Sequence, residues 1–173
     1  ALGIAKAAAA ELESARTSGA KALESTTKTL TTRKMMTNES KKVRVLTALC
    51  VSDIMRVCAP EAPIAGDEAM RDVYELFLDA LGSLKSIESE EFEAAKSLLV
   101  NVANIGLCVP MLDLECAGAE TLVRDLFKVL LDAVNAANST TVTEEISKVL
   151  STMIEESSDE DTPVPSDATF EVL

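Results

Sequence analysis

Residues Lys41 to Pro63 read KKVRVLTALCVSDIMRVCAPEAP, and this stretch decides the fold. Over its first eighteen residues Val43, Leu46, Leu49/Cys50, Ile54 and Val57 recur at helical spacing, so the segment is expected to be a helix buried along that stripe. The run Ala59-Pro60-Glu61-Ala62-Pro63 ends it, because each proline fixes its own φ and disfavours helix in the residue before it. A short, stiff, presented loop is expected there. Its rigid and small residues would expose backbone carbonyls and the Glu61 carboxylate beside Arg56 in the last turn, a surface that a partner's main chain or basic side chain can pair with. A plain inter-helix turn is the competing reading of the same five residues.

Working outward, the 173 residues are 47% hydrophobic but only 3% aromatic, without Trp, and hold 6 Gly and 5 Pro. Such a composition favours helix over sheet and points to one all-α domain. Before the deciding stretch, residues 2 to 16 have strong helix propensity but few large side chains. A break at Ser18-Gly19 and a Thr-rich, weakly helical stretch to Met36 follow, with Ser40 the expected cap of the helix from Lys41.

Beyond the loop, Asp67 is expected to cap a helix to about Leu84, with Met70, Val73, Phe77, Leu81 and Leu84 inward. Ser89-Glu90-Glu91 opens another, with Phe92, Ala95, Leu99, Val102 and Ile105 inward, closed by Pro110. Met111 to Cys116, MLDLEC, reads as an irregular connector. Further stripes follow from Ala119 at Leu122, Leu126, Val129/Leu130 and Ala133, and at Val142, Ile146, Val149/Leu150 and Met153/Ile154. Openings near 41, 90 and 141 alternate with openings near 67 and 119, so two kinds of helix repeat with a period of about 50 residues. The expectation is a HEAT-type α-solenoid of stacked antiparallel helix pairs, each burying on its neighbours the face it cannot bury alone. Three parts result: amino-terminal helices in 1–40, the repeat array in 41–156, and an acidic, proline-marked loop with the start of a truncated repeat in 157–173.

Net charge is −13, unevenly spread: residues 1–50 hold nine Lys/Arg against four Glu, and residues 51–173 hold seven against twenty-five Asp/Glu. Arg33, Lys34, Lys41, Lys42 and Arg44 form one basic cluster without aromatic interleaving, which reads as a solvated repeat edge; direct DNA contact is unsupported. No apolar run approaches the roughly 20 residues of a membrane span, and no membrane partner is expected. The cysteines, Cys50, Cys58, Cys108 and Cys116, are eight apart within each pair, and His is absent, so no metal or other cofactor is expected. Cys50, Cys58 and Cys108 are expected as reduced small hydrophobes on helix faces. The sequons at Asn38 and Asn138 are read as chance. The carboxylates from Glu155 to Asp161 lack the spacing of a calcium loop, while Ser157 and Ser158 carry acidic residues three positions on and suit an acid-directed kinase. Without a nucleophile elbow, a phosphate-cradling glycine loop or a paired-carboxylate site, no enzyme is expected.

The run VRVLTALCVSDIMRVCAPEAP, followed by DVYELF and later by VPMLDLECAGAETLVRDLFKVLLDAV and VLSTMIEES, resembles the amino-terminal HEAT region of the cohesin-associated sister-chromatid cohesion family called precocious dissociation of sisters, number five. MLDLEC looks like its plant and algal branch. The resemblance implies a nuclear, chromatin-associated, non-enzymatic scaffold that acts on the cohesin ring through its kleisin subunit, mainly by regions beyond this chain. It further implies that Ala59, Pro60, Glu61 and Ala62, with Pro63 adjoining, dock short peptides of the wings-apart-like release factor and of cohesion-protecting competitors. A longer parent protein would also account for a C-terminus that reads as the start of another helix. The alternative is a generic HEAT structural or transport scaffold whose partner lies on the concave helix face.

Overall fold

The computed structural model describes residues 23–59, 63–135 and 138–157. Among these, seven helices form: α1, with described residues 23–30, α2 (Arg33–Met36), α3 (Lys41–Cys58), α4 (Asp67–Leu81), α5 (Phe92–Ile105), α6 (Leu122–Ala133) and α7 (Thr140–Ser157). No strand occurs among the described residues. Helices α3, α5 and α7 pack side by side in one layer, α4 and α6 form the second, and α2 leans on α3 and α4.

Side-chain bonds fix the directions. Arg44 near the start of α3 reaches Asp79 near the end of α4 at 2.8 Å, so these helices run antiparallel. Lys42 meets Glu90 just before α5, while Asn101 late in α5 donates to Ser52 and Asp53 late in α3, so α3 and α5 run the same way. Asp67 accepts from the Glu115 backbone N–H, and Lys85 pairs with Asp132. These four cross-repeat links join residues 47 to 49 apart, which is the solenoid period read as physical contacts. The all-α HEAT-type architecture follows.

The core is continuous between the layers. Met70, Val73, Phe77, Leu81 and Leu84 are buried as their spacing requires, and so are Phe92, Ala95, Leu99 and Val102 of α5, Ala119, Leu122, Leu126, Leu130 and Ala133, and Val142, Ile146, Val149 and Met153 of α7. Ile105 and Ile154, expected inward, stand instead at the exposed edge of the last turns of α5 and α7, and Val129 and Leu150 are half-buried. Burying each large side chain contributes about 1.5–3 kcal/mol before entropy is counted.

The deciding helix keeps its bounds but turns its other face inward. Val45, Thr47, Ala48, Val51, Ser52, Ile54 and Met55 are buried, whereas Leu46, Val57 and Cys50 are exposed and Val43 and Leu49 half-buried. Of the expected stripe only Ile54 is fully inside. The buried hydroxyls of α3 are satisfied within the helix, Thr47 donating to the Val43 carbonyl and Ser52 to that of Leu49, so polar residues occupy the inner face without an orphaned donor.

Helix ends bring further corrections. Ser40 stands at the α3 cap position without a side-chain cap bond. Gly66, at φ 90°, takes the α4 cap position and Asp67 is the first helical residue; α4 stops at Leu81, with a 3-10 turn over Gly82–Lys85. Helix α5 ends at the left-handed Gly106, four residues before Pro110, which lies in the 3-10 turn Val109–Asp113. A third such turn, Ala119–Thr121, precedes α6. Asn138, the second sequon, uses its side-chain amide to donate to the Leu84 carbonyl.

Candidate functional site

The end of α3 is built as its prolines dictate. Cys58 is the last helical residue and Ala59, immediately before Pro60, adopts extended backbone at φ −47° and ψ 141°. Pro60, Glu61 and Ala62 lie outside the described residues. The chain is described again from the half-buried Pro63 and Ile64, and reaches α4 through Gly66.

Beside the loop lies a cavity of about 420 Å³ that spans two repeats. One wall comes from the loop and its flanking helices, with Ala59, Met55, Ile64 and Met70; the other comes from the end of α5 and the turn after it, with Ile105, Leu107, Pro110 and Leu114. Asp67 and Asp113 contribute carboxylates to the same lining. Asp67 is also the tie between walls, since its Oδ2 accepts from the Glu115 N–H at 2.9 Å. Of the residues singled out in the sequence, Ala59 lines this cavity. Arg56 and Pro63 do not: Arg56 is exposed and turns back one turn to Asp53, Nη2 to Oδ1 3.4 Å.

The wall supplied by residues 105–114 was not identified from the sequence as part of the site. A helix-stopping glycine four residues before a proline is the signal that a structured turn stands there, but only stacking brings it against a loop almost 50 residues earlier.

Thiol chemistry is not poised at this end of the molecule. Burial pushes the Cys58 thiol above its ordinary value. Cys116 is raised by burial and by the carboxylates of Asp67, Glu68 and Glu120, against the lowering effect of Arg71. Cys108, fully enclosed, is pushed up to about 12. All three are protonated at neutral pH and so are poor nucleophiles. The described residues contain no cluster of three or more Cys, Asp or Glu able to hold a metal ion, and none of their helices is long and apolar enough to cross a membrane.

A larger cavity of about 630 Å³ opens between α2, α3 and α4, at the basic cluster. Its charges are mostly spent on one another: Arg44 pairs with Asp79 and also donates to the Asn38 carbonyl, and Arg71 pairs with Asp72 at 2.5 Å and donates to the Ala117 carbonyl. Lys42 of the same cluster is engaged by Glu90. This region acts as a brace between repeats.

A family model described as sister chromatid cohesion protein PDS5 matches residues 4–168. The chain is 34% identical over 125 residues to sister chromatid cohesion protein PDS5 homolog A of Arabidopsis thaliana, covering 72% of this chain and 8% of that protein. It is 32% identical over 140 residues to homolog C of the same plant, covering 81% of this chain and 15% of that protein. With homolog A of Mus musculus the identity is 29% over 122 residues, covering 69% of this chain and 9% of that protein. The chain thus spans about a tenth of the length of these curated relatives.

Proposed function

Because this chain belongs to the PDS5 family of sister chromatid cohesion proteins, we propose that it is a non-enzymatic scaffold segment of a nuclear, chromosome-associated cohesin regulator. Its working surface is the loop Ala59, Pro60, Glu61, Ala62 and Pro63, with Arg56 at its base. The loop docks short peptides of the wings-apart-like release factor and of the competitors that protect cohesion. Contact with the kleisin subunit of cohesin falls mainly to parts of the parent protein outside this chain.

The observation that carries this reading is the cavity beside Ala59. On this reading the docked peptide takes its polar contacts from the Ala59-Pro60-Glu61-Ala62 motif and places a side chain in the adjoining, mostly apolar cavity walled by two repeats. A stiff loop also loses little entropy on binding.

Fluorescence-anisotropy titration of labelled peptides tiling the release factor's amino-terminal segment tests it. Saturable binding is expected to the parent chain and to be lost in Glu61→Lys, with helicity and melting unchanged. Binding that survives the change would move the partner to another surface, such as the concave helix face of a generic HEAT scaffold.

A further inference from the structure

Helix α3 carries apolar side chains on the surface it turns to solvent. Leu46 is 46% exposed, Val57 is 53% exposed, and Cys50 is exposed between them. With Asp53 these residues stand at i, i+4, i+7 and i+11, a single strip about 16 Å long that ends two residues before Ala59. Single exposed apolar residues are ordinary on any protein surface, and Ile154 on α7 is of that kind, while Ile105 at the end of α5 lines the loop-side cavity. Three in one row, ending two residues before Ala59, are not ordinary. Apart from Ile105 at its end, the exposed positions of α5 in the same layer, Glu93, Ser97 and Asn104, are polar, and α7 has the apolar Ile154 alone among exposed positions that otherwise include Thr143, Glu144 and Ser147, so neither helix carries a row.

Asp53 gives the strip its charge preference. Both of its hydrogen bonds, from Asn101 at 3.0 Å and from Arg56 at 3.4 Å, fall on Oδ1, and Oδ2 has no partner among the described residues. Its side chain is 49% exposed. Residues 51–173 carry a strong excess of acid, so the surrounding field favours a cationic partner.

We propose that this strip of α3 is a second contact surface, occupied by a basic amphipathic segment flanking the motif that docks at the loop, in the same partner polypeptide. Its aliphatic side chains cover Leu46, Cys50 and Val57, and a Lys or Arg meets Asp53 Oδ2. The proposal rests on the loop-docking reading, which it extends from a short motif to a longer footprint. Two weak contacts on one chain then reinforce each other through effective concentration.

The test compares two release-factor peptides on the full 173-residue chain: the shortest that binds in the tiling series, and one extended to about 30 residues, enough to run along the strip. The longer peptide is expected to bind about tenfold tighter. The double variant Leu46→Gln/Val57→Gln should erase that gain while binding the short peptide as the parent chain does. In a chain carrying Cys58→Ser and Cys116→Ser, the long peptide alone should protect Cys50 from maleimide. No gain on extension, a gain retained by the double variant, or equal labelling of Cys50 with both peptides overturns the proposal and leaves the loop reading intact. A short peptide that binds Glu61→Lys as it binds the parent chain, or no binding peptide at all, overturns the loop reading and the extension with it.

Discussion

The Tyr74 hydroxyl donates to the backbone carbonyl of Leu107 across 3.0 Å, with the phenol ring wholly buried. One bond thereby ties the middle of α4 to the turn after α5, the same turn that walls the loop-side cavity. Burial, helped by the neighbouring Cys108, raises the phenol above its ordinary value, so it stays a donor at any physiological pH. The ring is also set edge-on to Phe77, centroids 6.2 Å apart, which leaves it little freedom to turn away from Leu107.

Tyr74→Phe keeps that ring and removes only the donor. The Leu107 carbonyl then loses its side-chain partner inside the core, at a cost of about 1–3 kcal/mol. Urea unfolding should show a lower midpoint at an unchanged slope, since the area exposed on unfolding is the same. A midpoint equal to that of the parent chain would mean that the bond contributes nothing net.

Gly106 ends α5 at φ 60° and ψ 36°, in the left-handed region, with Val109 Cγ2 3.4 Å from where a Cβ would stand. The backbone conformation is therefore a greater obstacle to a side chain than the available space. Gly106→Ala should cost about 1 kcal/mol, and Gly106→Asn less, because Asn tolerates this region better. Thermal melts of the two variants decide it: equal losses would point to crowding against Val109 instead of backbone strain.

Helix α3 shows how far the sequence can be read. Its length and end were legible, because eighteen residues without Gly or Pro meet Ala59-Pro60; its inner face was not. Large apolar residues sit on both sides of it, and the face that packs contains Thr47, Ala48 and Ser52, whose fitness for burial rests on size and on hydrogen bonds within the helix. Periodicity weights hydrophobicity alone and so chose Leu46 and Val57. The site divides in the same way. Two prolines announce the loop, whereas the cavity beside it exists only once a turn from the next repeat is stacked against α3 and α4.

That division predicts a contrast between adjacent residues. Val45→Ala and Val51→Ala each remove methyl groups from fully enclosed positions and should each cost about 1–2 kcal/mol, including the cavity left behind. Leu46→Ala, one residue from Val45, should stay within about 0.5 kcal/mol of the parent chain. Denaturant midpoints of the three variants compare the two faces directly, and a larger loss at Leu46 than at Val45 would reverse the assignment.

Asp132 illustrates how the repeats respond to acid. The Lys85 ammonium donates to its Oδ2 at 2.7 Å and holds the carboxyl below its ordinary range, linking the end of the α4 repeat to α6. A carboxylate depressed in the folded state stabilises fully above its unfolded value, and that contribution is lost as pH falls through the folded one. The pair therefore favours the fold fully at neutral pH, begins to lose that contribution near about pH 4, where an ordinary Asp protonates, and loses it as pH falls through the lower folded value. Both side chains are about half exposed, so the effect on overall stability is small, and titration of the group itself is the better measurement. Carboxyl-carbon NMR of the parent chain should show Asp132 titrating below an ordinary Asp. In Lys85→Met its midpoint should rise toward that ordinary value, while Glu91, which is lowered mainly by the Ser89 hydroxyl, keeps its own. An Asp132 midpoint unmoved by removing the ammonium would show that Lys85 is not what holds it down.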